Sequence, residues 1–100
     1  MHVILDLTIV PLGVGLSLSK YVAVCEQILN DAGLTHILHA NGTNIEREWD
    51  AVFAAVKRCH LELHQMGVVR IHTDIKLGTR TDITQSMVDK IASVEEKLVQ

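Results

Sequence analysis

The side chains with the most chemical potential in this chain gather where strand alternation would project them from one face of a sheet. In the central stretch His39-Ala40-Asn41-Gly42-Thr43-Asn44-Ile45-Glu46, Asn-Gly suits the two positive φ angles of a type I′ turn. A hairpin with an Asn41-Gly42 loop is expected, pairing Ala40 with Thr43 and Leu38 with Ile45. Directly paired residues share a face, so Ile37, His39, Asn44 and Glu46 lie on one side and Leu38, Ala40 and Ile45 on the other. Asp6 and Thr8, near the N-terminus, and Arg70, His72, Asp74 and Lys76, further on, alternate with aliphatic residues in the same way. Imidazoles, carboxylates and hydroxyls converging from several strands could bind a small polar ligand or perform acid/base work. The same residues could equally form a solvated outer face or a wet contact between subunits.

Other chemistries find less support. His60 and His64 stand one helical turn apart, but a pair supplies only two of the four ligands usual for zinc, and no HExxH pattern accompanies them. No physiological metal is expected. No Ser sits in a GxSxG elbow, and Cys25 and Cys59 have neither a CxxC spacing nor an activating context. They read as buried, reduced thiols acting as small hydrophobes. Gly13 and Gly15 imitate a phosphate loop only superficially, since no Lys-Ser/Thr follows at the required spacing. No catalytic residue is assigned.

The elements that must position these groups follow from periodicity. Val3–Val10 reads as a strand with Val3, Leu5, Leu7 and Ile9 on its buried side, ended by Pro11 and the glycines that follow. Ser17 or Ser19 is placed to cap a helix running to Gly33, with Tyr21, Val22, Cys25, Ile28, Leu29 and Ala32 as its apolar stripe. Leu34–Ala40 and Thr43–Glu48 form the hairpin arms. A second helix begins at Trp49 or Asp50, carries Val52, Phe53, Val56, Cys59, Leu63 and Met66 on one side, and closes at Gly67. Val68–Leu77 alternates cleanly, with Val69, Ile71, Thr73, Ile75 and Leu77 inward. Asp82 and Gln85 have capping-box form ahead of a last helix striped by Met87, Ile91, Val94 and Leu98.

The order β-α-β-β-α-β-α describes an α+β fold, a ferredoxin-like βαββαβ sandwich with an additional C-terminal helix. Two helices would cover one face of an antiparallel sheet, and right-handed crossovers would set the first and last strands side by side in its middle. One hundred residues, 48% of them hydrophobic, make a single domain over residues 1–100 with ample material for a core. A net charge of −3 without runs of like charge argues against nucleic acid or an acidic membrane surface as partner. No apolar run reaches membrane-spanning length and the N-terminus has no leader features, so a cytoplasmic protein is expected.

Val10-Pro11-Leu12-Gly13, Ser19-Lys20-Tyr21-Val22-Ala23, the hairpin segment His39–Glu46, Trp49-Asp50 and Arg70–Asp82 follow one another along the chain. Together they resemble the thiamine-binding-protein-like family of small ferredoxin-fold proteins. The resemblance implies a homotetramer, a dimer of dimers associating through sheet faces and edges. In some members it also implies a site for thiamine or its hydroxymethylpyrimidine part; it does not imply an enzyme, and neither enzymatic activity nor a cofactor is expected. Thiamine asks for a carboxylate near its cationic thiazolium, hydrogen-bonding groups for the aminopyrimidine, and a ring or aliphatic surface for stacking. On that footing the ligand-binding candidates are Thr8, Ser19, Tyr21, His39, Thr43, Glu46, His72 and Asp74. Glu46 with Thr43 would anchor the pyrimidine, Asp74 would face the cation, and Tyr21 or Trp49 would supply the ring. Arg47 departs from the glycine many members carry after the Ile-Glu pair.

Overall fold

The structure, a computed structural model, describes residues 1–98. Its elements are β1 (His2–Leu12), α1 (Ser19–Asp31), β2 (Thr35–His39), β3 (Gly42–Glu48), α2 (Trp49–Gln65), β4 (Arg70–Thr79) and α3 (Met87–Leu98). The four strands form one antiparallel sheet in the order β2-β3-β1-β4. The α+β, ferredoxin-like arrangement expected from the sequence is therefore present. The first and last strands are neighbours as expected, but β4 lies at the edge, and β3 and β1 occupy the middle.

Alternation divides the sheet into two faces. Val3, Leu5, Leu7 and Ile45 are buried beneath α1 and α2, together with Leu29, Leu34, Val52, Ala55 and Val56. A second cluster, Tyr21, Cys25, Ile28, Cys59, Leu63 and Val68, packs where the two helices meet. Gly33 and Gly67 stop these helices in the left-handed region, at φ 68 and 98. There Leu34 N–H returns to the Leu29 carbonyl and Val68 N–H to that of Leu63. Arg47 reinforces the first stop by donating to the Gly33 carbonyl at 2.6 Å, which holds the end of α1 against β3.

The hairpin is built differently from the expected one. Its loop is Ala40-Asn41, with His39 paired to Gly42, Leu38 to Thr43 and His36 to Ile45. The register is shifted by two residues, which preserves the face of every side chain because the strand period is two. Gly42 has no positive φ; it is required by close approach instead. A Cβ there would meet the Leu7 carbonyl oxygen at 2.7 Å and Thr8 Oγ1 at 2.8 Å.

Strand β1 runs through Pro11 to Leu12, two residues past its expected end. Its pairing with β3 stops at Leu7, whereas its pairing with β4 continues to Leu12 opposite Arg70. Pro11 therefore lacks a donor only where β1 has β4 as its sole neighbour, a position that tolerates it. Val69, expected to point inward, precedes β4 and is 91% exposed, because the turn at Gly67 buries Val68 in its place. Neither Ser17 nor Ser19 caps α1: Leu18 occupies the cap position, and the two hydroxyls lie 3.4 Å from each other.

The last helix also starts later than its expected capping box. Asp82 is held by the Arg80 guanidinium, which lowers its carboxyl to about 2. Ser86 and Asp89 form the real box, each accepting the other's backbone N–H, at 3.1 and 3.0 Å. Met87 is the buried residue of α3; Ile91, Val94 and Leu98 of its stripe are exposed. With that helix projecting, the radius of gyration is 15.0 Å, above the roughly 13 Å usual for a compact chain of this length.

Candidate functional site

A cavity lies where the sheet narrows. Beyond Leu7 the hairpin turns back while the β1–β4 ribbon continues, and the first two turns of α1 pass over the gap. The result is a cleft of about 540 Å³, within the range of small-molecule sites, bounded by the end of β1, the β2–β3 turn and α1. Its walls are mainly aliphatic, from Leu7, Ile9, Val10, Leu18, Val22 and Leu38, and Tyr21 supplies a ring. Leu38 has the helix-facing parity of a core residue, yet it is 55% exposed. More than half of its apolar surface therefore stays open beside the cleft.

The polar groups are few and already oriented. Thr43, buried at the inner end, donates its hydroxyl to Glu26 Oε2 at 2.8 Å, and His36 Nε2 stands 4.0 Å from the other carboxylate oxygen. Glu26 is the carboxylate of the lining, which contains neither Lys nor Arg among the described residues. At the rim, His39 Nε2 lies 2.6 Å from Asp6 Oδ1, while its Nδ1 accepts the Asn41 N–H at 3.3 Å. That second bond makes Nδ1 the acceptor, so Nε2 carries the proton donated to Asp6. Thr8 Oγ1 donates to the Asn41 carbonyl at 2.9 Å, fastening the turn to β1.

Of the expected ligand-binding residues, Thr8, Ser19, Tyr21, His39 and Thr43 line this cleft. Glu46, His72 and Asp74 do not. Glu46 points from the opposite side of β3 to Thr43, so these two cannot grip one heterocycle. Its Oε2 accepts the Met87 N–H at 3.1 Å at the start of α3, and His2 Nε2 lies 3.4 Å from the same oxygen. A carboxylate at a helix N-terminus is favoured by the exposed N–H groups and the dipole. His72 and Asp74 are exposed on the open face of β4, 3.3 Å apart. Trp49 packs on Phe53, centroid to centroid 4.8 Å, and contributes no ring to the cleft; Tyr21 does, with the Lys20 ammonium 5.0 Å from its centroid.

The residue that sequence reasoning missed is Glu26. Its signal was helical: Ser19, Val22 and Glu26 recur at three- and four-residue spacing and form a stripe beside the buried one. Asn41 was read as a turn former, and it also lines the cavity. Among the described residues no group of three or more metal-ligating side chains is present, and no helix is long and apolar enough to cross a membrane.

Comparison with known proteins fits this architecture. A family model described as thiamine-binding protein matches residues 5–95. The UPF0045 protein sll0230 of Synechocystis is 56% identical over 95 residues, covering 95% of this chain and 78% of that protein. The UPF0045 protein ECM15 of Eremothecium gossypii is 41% identical over 99 residues, covering 98% and 94%. Among solved structures, the hypothetical protein MJ1052 of Methanocaldococcus jannaschii superposes with a TM-score of 0.87 at 28% identity, over 95% of this chain and 97% of that one. A candidate thiamine biosynthesis/salvage protein of Thermotoga maritima, at 15% identity, shares the fold with a TM-score of 0.80, over 94% and 99%. With nearly its whole length matched by the family model and by close relatives, the chain belongs to the thiamine-binding protein family.

Proposed function

We propose that the protein binds a small cationic heterocycle, thiamine or a related aminopyrimidine, in the cleft between α1 and the β2–β3 turn, and acts as a carrier or sensor in the cytoplasm. The observation that carries this reading is the composition of the cleft: aliphatic walls, one tyrosine ring and a single carboxylate, Glu26, with no opposing Lys or Arg in the lining. Thr43 orients that carboxylate, and Ser19 and Asn41 remain as hydrogen-bonding groups for a polar edge. The family's description and the Thermotoga protein's name both point to thiamine. The two cysteines are unbridged, in keeping with a reducing compartment.

Calorimetry with thiamine on the wild type and on Glu26→Gln tests the proposal. A charge-assisted contact is worth about 1.5–3 kcal/mol, so the variant should bind roughly 10- to 150-fold more weakly. Neutral hydroxymethylpyrimidine should be much less affected. Equal thiamine affinity in the two proteins removes Glu26 from the site, and no binding to the wild type removes thiamine.

A second reading, an interaction protein that assembles as a homotetramer without a specific ligand, is favoured by the exposed Ile91, Val94 and Leu98 of α3 and by Leu12 and Ile37 on the open sheet face. Apolar groups left exposed in a row commonly meet another subunit. Sedimentation of the wild type beside Val94→Lys checks it: the wild type should sediment as a tetramer and the variant as a smaller species. A monomeric wild type excludes it.

A further inference from the structure

The cleft has a floor that the binding site does not use. We propose that Cys25 and Cys59, on facing sides of α1 and α2, form a dithiol–disulfide couple that a hydroperoxide entering through the cleft can oxidise. Thirty-four positions separate the two cysteines, and no sequence motif links them. The packing of the helices nevertheless brings them together at the junction formed by Tyr21, Ile28, Leu63 and Val68. The Cys59 thiol donates to the Cys25 backbone carbonyl at 3.9 Å, which sets its sulfur against the partner cysteine. A sulfur held against the backbone of the other cysteine needs a side-chain rotation and approach to arrive at the roughly 2.05 Å of a disulfide.

Their access to solvent is unequal. Cys25 is part of the cleft lining, whereas Cys59 is fully buried behind it. That inequality assigns the roles. The Cys25 thiolate attacks the peroxide, the O–O bond breaks, and one oxygen stays on sulfur as a sulfenic acid while the other leaves as water or an alcohol. The Cys59 thiolate then attacks the Cys25 sulfur; the S–S bond forms, the S–O bond breaks, and hydroxide departs and takes up the proton Cys59 released. The two sulfurs lose two electrons and the peroxide gains them. The Cys25 contact and the Arg58 charge hold the Cys59 thiol down, which suits a resolving thiolate; the Cys59 contact and burial push Cys25 up, which slows the first step.

Hydrogen peroxide applied to the native wild-type protein, followed by denaturation and alkylation, tests the couple. The expected product has lost two hydrogens, takes no alkylating agent, yields one peptide joining Cys25 to Cys59, and is restored by dithiothreitol. In Cys59→Ser, dimedone should trap a sulfenic acid on Cys25; in Cys25→Ser, Cys59 should stay reduced in the folded protein. Two alkylatable thiols in the peroxide-treated wild type overturn the proposal without relying on either variant's folding. Oxidation of Cys59 in folded Cys25→Ser as fast as in the wild type overturns the route through the cleft.

Discussion

Replacing Gly42 with alanine should loosen the hairpin from the centre of the sheet, and the cost can be worked from its surroundings. The added Cβ would lie 2.7 Å from the Leu7 carbonyl oxygen, 2.8 Å from Thr8 Oγ1 and 3.3 Å from the His39 ring. The first contact is with the backbone of β1, which is anchored by buried Leu5 and Leu7 and cannot readily retreat. Overpacking of this kind costs about 1–3 kcal/mol. Displacing the turn also stretches the Thr8–Asn41 hydrogen bond, worth about 1 kcal/mol. Removing a glycine from a strand returns roughly 0.5–1 kcal/mol. The net expectation is a loss of about 2 kcal/mol, or a fall of about 1 M in the urea midpoint at unchanged slope. Trp49 fluorescence reports the transition. Gly78→Ala is the matched control, since Gly78 also lies in a strand and a Cβ there meets nothing within 4 Å. If Gly42→Ala unfolds at the same urea concentration as Gly78→Ala, the close approach of the turn to β1 is wrong.

Glu46→Ala should release the first turn of α3 while leaving the main core intact, because the lost partner is the Met87 N–H; the expected cost is about 0.5–2 kcal/mol, read as faster amide exchange confined to residues around 86–90. Burial and the neighbouring His64 hold the His60 imidazole below its ordinary value of 6.5. The unfolded chain therefore takes up that proton first, so stability should decline as pH falls through 6.5 and be fully present above it. His60→Gln should flatten that part of the curve in pH-dependent urea titrations; an unchanged slope assigns it to other groups. If thiamine occupies the cleft, saturating thiamine should slow peroxide oxidation of Cys25 in proportion to occupancy, measured by alkylation, and unchanged kinetics in a protein shown to bind thiamine would place it elsewhere.

The sheet and its two covering helices were legible because local signals agreed with the global pattern. Leu5, Leu7 and Ile45 alternate, Tyr21, Cys25, Ile28 and Leu29 recur at helical spacing, and Gly33 and Gly67 stand where left-handed stops are needed. Hairpin register was less legible. Asn-Gly favours one loop in isolation, but the approach of Gly42 to β1 decides which residues turn, and that is a tertiary contact. The candidate site was half legible. Thr8, Ser19, Tyr21, His39 and Thr43 meet in the cleft, while Glu46 was drawn into the binding set by its charge and its place in the hairpin. Its partner, the start of α3, lies 41 residues away, beyond what periodicity reports. Glu26 was passed over because a carboxylate beside an apolar helical stripe ordinarily faces water, and only the exposed Leu38 and the short hairpin reveal that this one faces a cavity.

The end of β1 that outruns β3 bears on how such a protein could diversify. Because the β2–β3 loop closes on Ala40-Asn41 while β1 continues alongside β4, the depth of the cleft is set by hairpin length. Adding one cross-strand pair at the turn would extend the hairpin over Thr8 and Ile9 and shrink the cavity. It would leave the pairing of Val3, Leu5 and Leu7, and the core beneath them, untouched. The size of the cavity is thus set at a surface turn while most of the core pairing lies elsewhere, so descendants of this architecture could widen or close the cavity by insertions at that one turn.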